Sequence, residues 1–262
     1  MNAPEVREAR LAGKFYPAPP RRLEQMVKTF LTEGQKVDVS PKAVIAPHAG
    51  YIYSGPVAGS AFLPFQPDGK TIRRIVVLGP SHWVGFDGIA LPAANSFGTP
   101  LGTVTLDLEA IERLRALPFV RVFDAAHDRE HSIEVELPFL QQTLEAFKLV
   151  PLVVGQAAET EVQQVIDLLW NGPETRFVLS SDLSHYHDYE TATRLDRATT
   201  DDIEAGRSVN VTQACGHLPI SGFLRSAQAR GLRARAIDLR NSGDTAGPRE
   251  EVVGYGAFIF AG

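Results

Sequence analysis

RIVVLGPSH (74–82) is a run of apolar, β-branched side chains closed by Gly-Pro and followed by a histidine. Successive side chains of a strand point to opposite faces, so a strand that is apolar throughout is buried on both. Its sheet must therefore be covered on two sides. Runs of the same kind recur at AVIAP (43–47), GIALP (88–92), LVPLVVG (149–155), RFVLSSD (176–182), ARAIDL (234–239) and GYGAFIF (254–260). Helical spacing separates them, in PRRLEQMVKTFLTEG (20–34), LDLEAIERLRAL (106–117) and SIEVELPFLQQTLEAF (132–147). It continues in EVQQVIDLLWNG (161–172), more weakly in ATTDDIEAGR (198–207), and in LPISGFLRSAQARG (218–231). This alternation predicts an α/β fold: a single domain over 1–262, with a central mostly parallel or mixed sheet and helices on both faces. GTVTLD (102–107) is expected to add a strand at the sheet edge.

Composition narrows the function classes. The 262 residues are 44% hydrophobic and 22% charged with a net charge of −5, which gives no electrostatic footprint for nucleic acid or an anionic membrane. No run approaches the ~18 apolar residues of a membrane span. The opening MNAPEVREARLAGKFYP lacks the apolar core of a signal peptide, and the single cysteine cannot form an internal disulfide. A cytoplasmic location is the expectation.

The chemistry sits at the strand ends. His48 follows the 43–47 run, His82 follows 74–80, and Asp182 and His185 follow 176–180. Ligands of open α/β sheets bind beyond the carboxyl ends of the strands, where these residues would meet. His131 and Glu134 form an H-x-x-E pair on one helix face, but the H-E-x-x-H metal pattern is absent, so Glu130 and His131 read as lining or helix-capping residues. His127 and His187 read as solvated, and NSGDT (241–245) as a plain turn. No phosphate loop, dinucleotide fingerprint or G-x-S-x-G elbow is present.

Two histidines leave a catalytic transition-metal site one protein ligand short. Asp182, Glu134 and Cys215 are the candidates for the third. Cys215 precedes the 218–231 helix, where the helix N-terminus favours a thiolate, although packing or a nucleophilic role with His217 as base would also fit the sequence. Spacing does not decide among these.

The blocks APHAGYIYSGPVAGSAF, LGPSHWVGFDGIALP, EHSIEVELPFLQ, SSDLSHYHDY, ACGHLPISGFL and NSGDT resemble the Memo family, also called the AmmeMemoRadiSam system protein B family, from about residue 9 to 260. The resemblance implies a fold similar to class III extradiol, LigB-like dioxygenases, with a metal site of His48, His82 and Cys215. It implies Fe(II) first, with Cu or Zn as alternatives, and a dioxygenase-type oxidoreductase, in which His185 would be the general acid/base and Asp182 would orient it or the substrate. His131, Glu134 and Tyr51 are expected to line the substrate site. The alternative is a non-catalytic peptide- or partner-binding protein. Expected partners are a small-molecule substrate (aromatic ones included), a peptide, or proteins of the AmmeMemoRadiSam system.

Overall fold

The computed structural model describes residues 5–262. Its strands, in chain order, begin with β1 (Val6–Arg7), β2 (Ala43–Ala46), β3 (Arg74–Pro80), β4 (Ile89–Leu91), β5 (Ser96–Thr99) and β6 (Gly102–Thr105). They continue as β7 (Val120–Val122), β8 (Lys148–Val154), β9 (Thr175–Ser180), β10 (His185–His187), β11 (Arg233–Asn241) and β12 (Val252–Ala261). The helices are α1 (Pro20–Glu33), α2 (Tyr51–Phe62), α3 (Leu108–Leu114) and α4 (Asp124–Asp128). After them come α5 (Leu137–Thr143), α6 (Glu159–Leu169), α7 (Tyr189–Glu204) and α8 (His217–Gln228).

The large sheet has nine strands in the order β10-β12-β2-β9-β3-β8-β4-β7, with β11 paired to β12. Its centre, β2-β9-β3-β8, is parallel, and the flanking β12 and β4 run antiparallel to it. This is the mixed sheet expected, buried where the sequence is apolar: every residue of β2 and β9 is buried. Both faces are covered. Phe177 of β9 packs its ring 5.5 Å from Phe223 of α8, while Ser180, three residues on and thus on the other face, bonds Glu136 just before α5. Helices α6 and α8 pack together on the first side, and α1, α2 and α5 on the second. A single cluster of buried apolar residues runs through both layers.

Four local readings change. Residues 102–105 form β6, but it joins β5 and β1 in a separate three-stranded sheet instead of extending the main one. The 132–147 segment is not one helix: a tight turn over Glu134–Glu136 precedes α5, which carries Pro138 in its first turn, where a missing N–H costs nothing. The weak 198–207 pattern is the end of α7, which starts at Tyr189 behind an Asp188 cap whose carboxylate accepts the Thr191 N–H at 3.0 Å.

Helix α2 had no apolar period to announce it. Its glycines serve contact with α1 instead, since a Cβ at Gly55 would lie 2.3 Å from the Phe30 ring and one at Gly59 2.3 Å from the Phe30 carbonyl oxygen. No helix among the described residues is long and apolar enough to cross a membrane.

Candidate metal centre

Strands β2, β9 and β3 are parallel neighbours, so their carboxyl ends share one edge of the sheet. His48, Asp182 and His82 each stand two residues beyond those ends. Adjacent strands lie roughly 4.8 Å apart, which brings the three side by side without any long side chain having to reach. Cys215 arrives from the opposite direction, two residues before α8, a helix that packs across β3 and β9. His48, His82 and Cys215 place one ligand atom each within 4.8 Å of one another.

The histidines are held in one tautomer. Ser180 donates its hydroxyl to Glu136 Oε1 at 2.8 Å, so its oxygen accepts the Nδ1 proton of His48 at 2.7 Å. His82 donates its Nδ1 proton to Glu130 Oε1 at 2.8 Å. Both rings are left with a bare Nε2 lone pair, the form that binds a metal. Cys215 Sγ lies 3.3 Å from His48 Nε2 and accepts the Asp182 N–H at 3.3 Å. The sequence reading expected a thiolate favoured by the helix end. Burial instead pushes the Cys215 thiol up to about 12, with the Asp182 charge adding to it. The sulfur is thus a protonated thiol that a cation would have to deprotonate on binding.

Three glutamates in one short segment have three different fates. Burial alone would raise Glu130, but the hydrogen bonds it accepts from the His82 ring and backbone outweigh it and hold the carboxylate down to about 2. It also accepts the backbone N–H groups of His82, His131 and Ser132 at 2.7–2.9 Å. With four hydrogen bonds on its two oxygens, Glu130 supports His82, and it also lies close enough to His82 and His131 to form a second candidate cluster. Glu136 is fully buried, and burial holds it well above the usual carboxyl range, in its neutral form.

Glu134, expected to line the site, faces away from it. It is fully buried and binds the Arg7 guanidinium, the Tyr16 hydroxyl and the backbone N–H groups of Arg10 and Leu11 at 3.0 and 2.8 Å. Its role is to clamp the N-terminal segment. That clamp brings Phe15 onto His131, ring centres 4.8 Å apart. Tyr51, also expected as lining, is 2% exposed, and its hydroxyl donates to the Val135 carbonyl at 2.6 Å, which places it under the site as packing.

The remaining expected residues gather at the centre. His131 stacks on His82 with ring centres 4.3 Å apart and stands 5.2 Å from His48. Burial, then the neighbouring His82, lowers it to about 4, so it stays neutral. Asp182 accepts the His48 backbone N–H at 2.9 Å, which fixes the chain carrying this candidate ligand, and burial raises it to about 7. His185 donates Nδ1–H to the Leu183 carbonyl at 2.8 Å and is lowered by burial, leaving Nε2 free. The next residue, Tyr186, has a left-handed φ of 60° and an exposed ring, an uncommon conformation for a bulky side chain.

Sequence reasoning did not single out Ser180, Glu136 or Phe15. Ser180 and Glu136 had one visible signal, as polar residues inside apolar runs. His127, read as solvated, is 2% exposed, donates Nε2–H to the Ala90 carbonyl at 3.0 Å, and is lowered by burial to about 4. His187 is exposed, and residues 241–245 form a self-bonded turn in which Asn241 Oδ1 accepts the Gly243 N–H.

A family model described as Memo-like protein matches residues 7–259. The chain belongs to the Memo family. A relative from Archaeoglobus fulgidus is 35% identical, covering 97% of this chain and 99% of its own length. One from Aquifex aeolicus is 33% identical over the same shares, and one from Nitrosopumilus maritimus 30%. Each bears the name MEMO1 family protein. The matches span the Memo chain from its N-terminal clamp to β12, so the whole centre lies within the shared region.

Proposed function

We propose that this Memo-family chain binds a transition metal ion, iron first, through His48, His82 and Cys215, and acts as a dioxygenase-type oxidoreductase on a small molecule. The observation that carries this reading is the pair of histidines whose Nδ1 protons are both engaged, leaving two bare Nε2 atoms beside one thiol. The donor set fits: two neutral imidazoles and one anionic sulfur satisfy a divalent ion and leave coordination positions open. Thiolate also suits copper and zinc, which remain the alternatives. Bound iron would supply the one-electron and O₂ chemistry that no side chain provides.

The protein's own groups would do the rest. His185, neutral and with Nε2 free, takes a proton from substrate and returns it. Asp182 fixes the His48 backbone instead of orienting His185, and Phe15 with His131 closes one wall against water. The test is anaerobic Fe(II) loading with metal analysis, followed by O₂ consumption with candidate substrates. One iron per chain, lost in His48→Ala, is the expected result. Uptake that ignores His48→Ala would sink the reading.

A second reading, a non-catalytic peptide or partner binder, has one observation in its favour. Of the six exposed large apolar side chains among the described residues, Ile52, Trp83, Tyr186 and Val211 lie within four residues of His48, His82, His185 or Cys215. A partner captured equally by wild type and by a variant lacking all three ligands would favour this reading.

A further inference from the structure

Beside Cys215, the sheet edge opens into a cavity of about 350 Å³. It lies between the ends of β3 and β8, the loop that follows β3, and the turn leading into α8. We propose that this cavity is a binding site for an uncharged, largely apolar small molecule carrying one hydroxyl or carbonyl group, held with that group near Cys215. The proposal rests on the metal reading only for what then happens to the ligand. Binding itself needs no metal.

Four observations support it. The volume is at the small end of ligand pockets, about 300–1,000 Å³, which suits a metabolite and not a polypeptide. Much of the wall is apolar, with Phe86, Val154, Leu218 and Pro219 in it, and no Asp, Glu, Lys or Arg lines the cavity. A charged ligand would leave water there without gaining a counter-charge from the walls, whereas an apolar body gains from burial. Polar side chains on its wall, the Gln156 amide and the His217 imidazole among them, can meet one hydroxyl or carbonyl group.

The cavity is also preformed. The loop after β3 is tied to the end of β8 by Ser81 N–H to Val154 O at 3.1 Å, Gln156 N–H to Phe86 O at 2.8 Å and Gly155 N–H to Gly88 O at 2.9 Å. Gly155 permits this closeness, since a Cβ there would lie 2.3 Å from the Phe86 carbonyl oxygen. His217, which the sequence placed next to Cys215 as a rival base, thereby acquires a different role, that of a ligand-recognising group.

Gly85 supplies the test. It lines the cavity, a Cβ there meets nothing within 4 Å, and its backbone lies outside the left-handed region, so Gly85→Phe can fill the space without straining the chain. Benzyl alcohol is the neutral probe, with benzoate and benzylamine as charged counterparts of similar shape, each titrated by NMR into the full chain with and without Fe(II). Benzyl alcohol should bind saturably, about tenfold or more tightly than either charged probe. Binding should fall about fivefold in His217→Ala, the worth of one hydrogen bond, and disappear in Gly85→Phe while the melting temperature and Fe(II) uptake are unchanged.

His48→Ala should lose iron yet keep benzyl alcohol, so the failure of the metal reading and the failure of this one are separable. Absence of saturable binding, equal binding of the charged probes, or binding that survives in folded Gly85→Phe overturns the proposal.

Discussion

His48 and His82 are matched in the sequence, each just past a buried parallel strand, yet the protein supports them by opposite means. The His82 side chain is 26% exposed and leans on an ionised Glu130 that gathers three backbone N–H groups besides the ring. His48 is buried and leans on a serine that leans on a neutral glutamic acid. An ionised acceptor strengthens its hydrogen bond and raises the basicity of the imidazole, while a neutral relay fixes ring orientation with little added charge. A carboxylate directly under the inaccessible His48 would have to be ionised with no solvent and few donors around it, which burial forbids. The centre therefore has a charged side and a neutral side.

Removing a ligand should erase the difference between the sides. His48→Ala and Cys215→Ser are expected to weaken metal binding more than about 100-fold, beyond the range for losing a supporting group, as read by chelator competition. Cys215→Ser should leave the melting temperature nearly unchanged, because serine retains the size and accepts the same Asp182 N–H. Loss of the fold in this variant would show the thiol to be a packing group.

Glu130→Gln attacks the charged side and should cost about 10–100-fold in metal affinity. It should also lower stability by about 2 kcal/mol, because an amide NH₂ must face N–H donors that the carboxylate had satisfied. The pH sign follows from Glu130 lying at about 2 when folded, below its ordinary 4.5. The unfolded chain binds the extra proton between those values, so stability is complete above about 4.5 and is lost as pH falls through 2. Acid unfolding curves of wild type and variant should converge over that window. Ser180→Ala, on the neutral side, should cost about tenfold, near the lower limit for a supporting group, by freeing His48 to change tautomer.

The frame and the two candidate histidine ligands were far more legible in the sequence than their supports. Apolar runs announce doubly buried strands because every residue in them is subject to the same demand, and polar residues just past their ends mark the functional edge. Supports obey no period. Glu130, Glu134 and Glu136 occupy one segment, and what separates them is which partner arrives from far along the chain: His82, then Arg7 and Tyr16, then Ser180. Helix α2 was hidden for a related reason. Its glycines record the nearness of Phe30, which is a tertiary fact, and local propensity counts them against a helix. The cavity beside Cys215 was equally hidden, since Gly85, Gln156 and His217 share no motif.

The smallest expected effect is the most informative about the two sides. Glu136→Gln exchanges one neutral hydrogen-bonding group for another of nearly the same shape, because burial keeps the carboxyl protonated. The introduced amide can accept the Ser180 hydroxyl through its carbonyl oxygen and place its NH₂ where Glu136 Oε2 has no partner. Metal affinity should change less than about threefold and its pH dependence not at all, within the spread of neutral hydrogen bonds. A loss as large as that of Glu130→Gln would mean that Glu136 is ionised in the working protein. The relay would then carry a full negative charge to His48, and the centre would have two charged sides. Equal effects at Glu130 and Glu136 would refute the division, while a tenfold or greater gap between them would establish that burial alone decides which histidine is backed by charge.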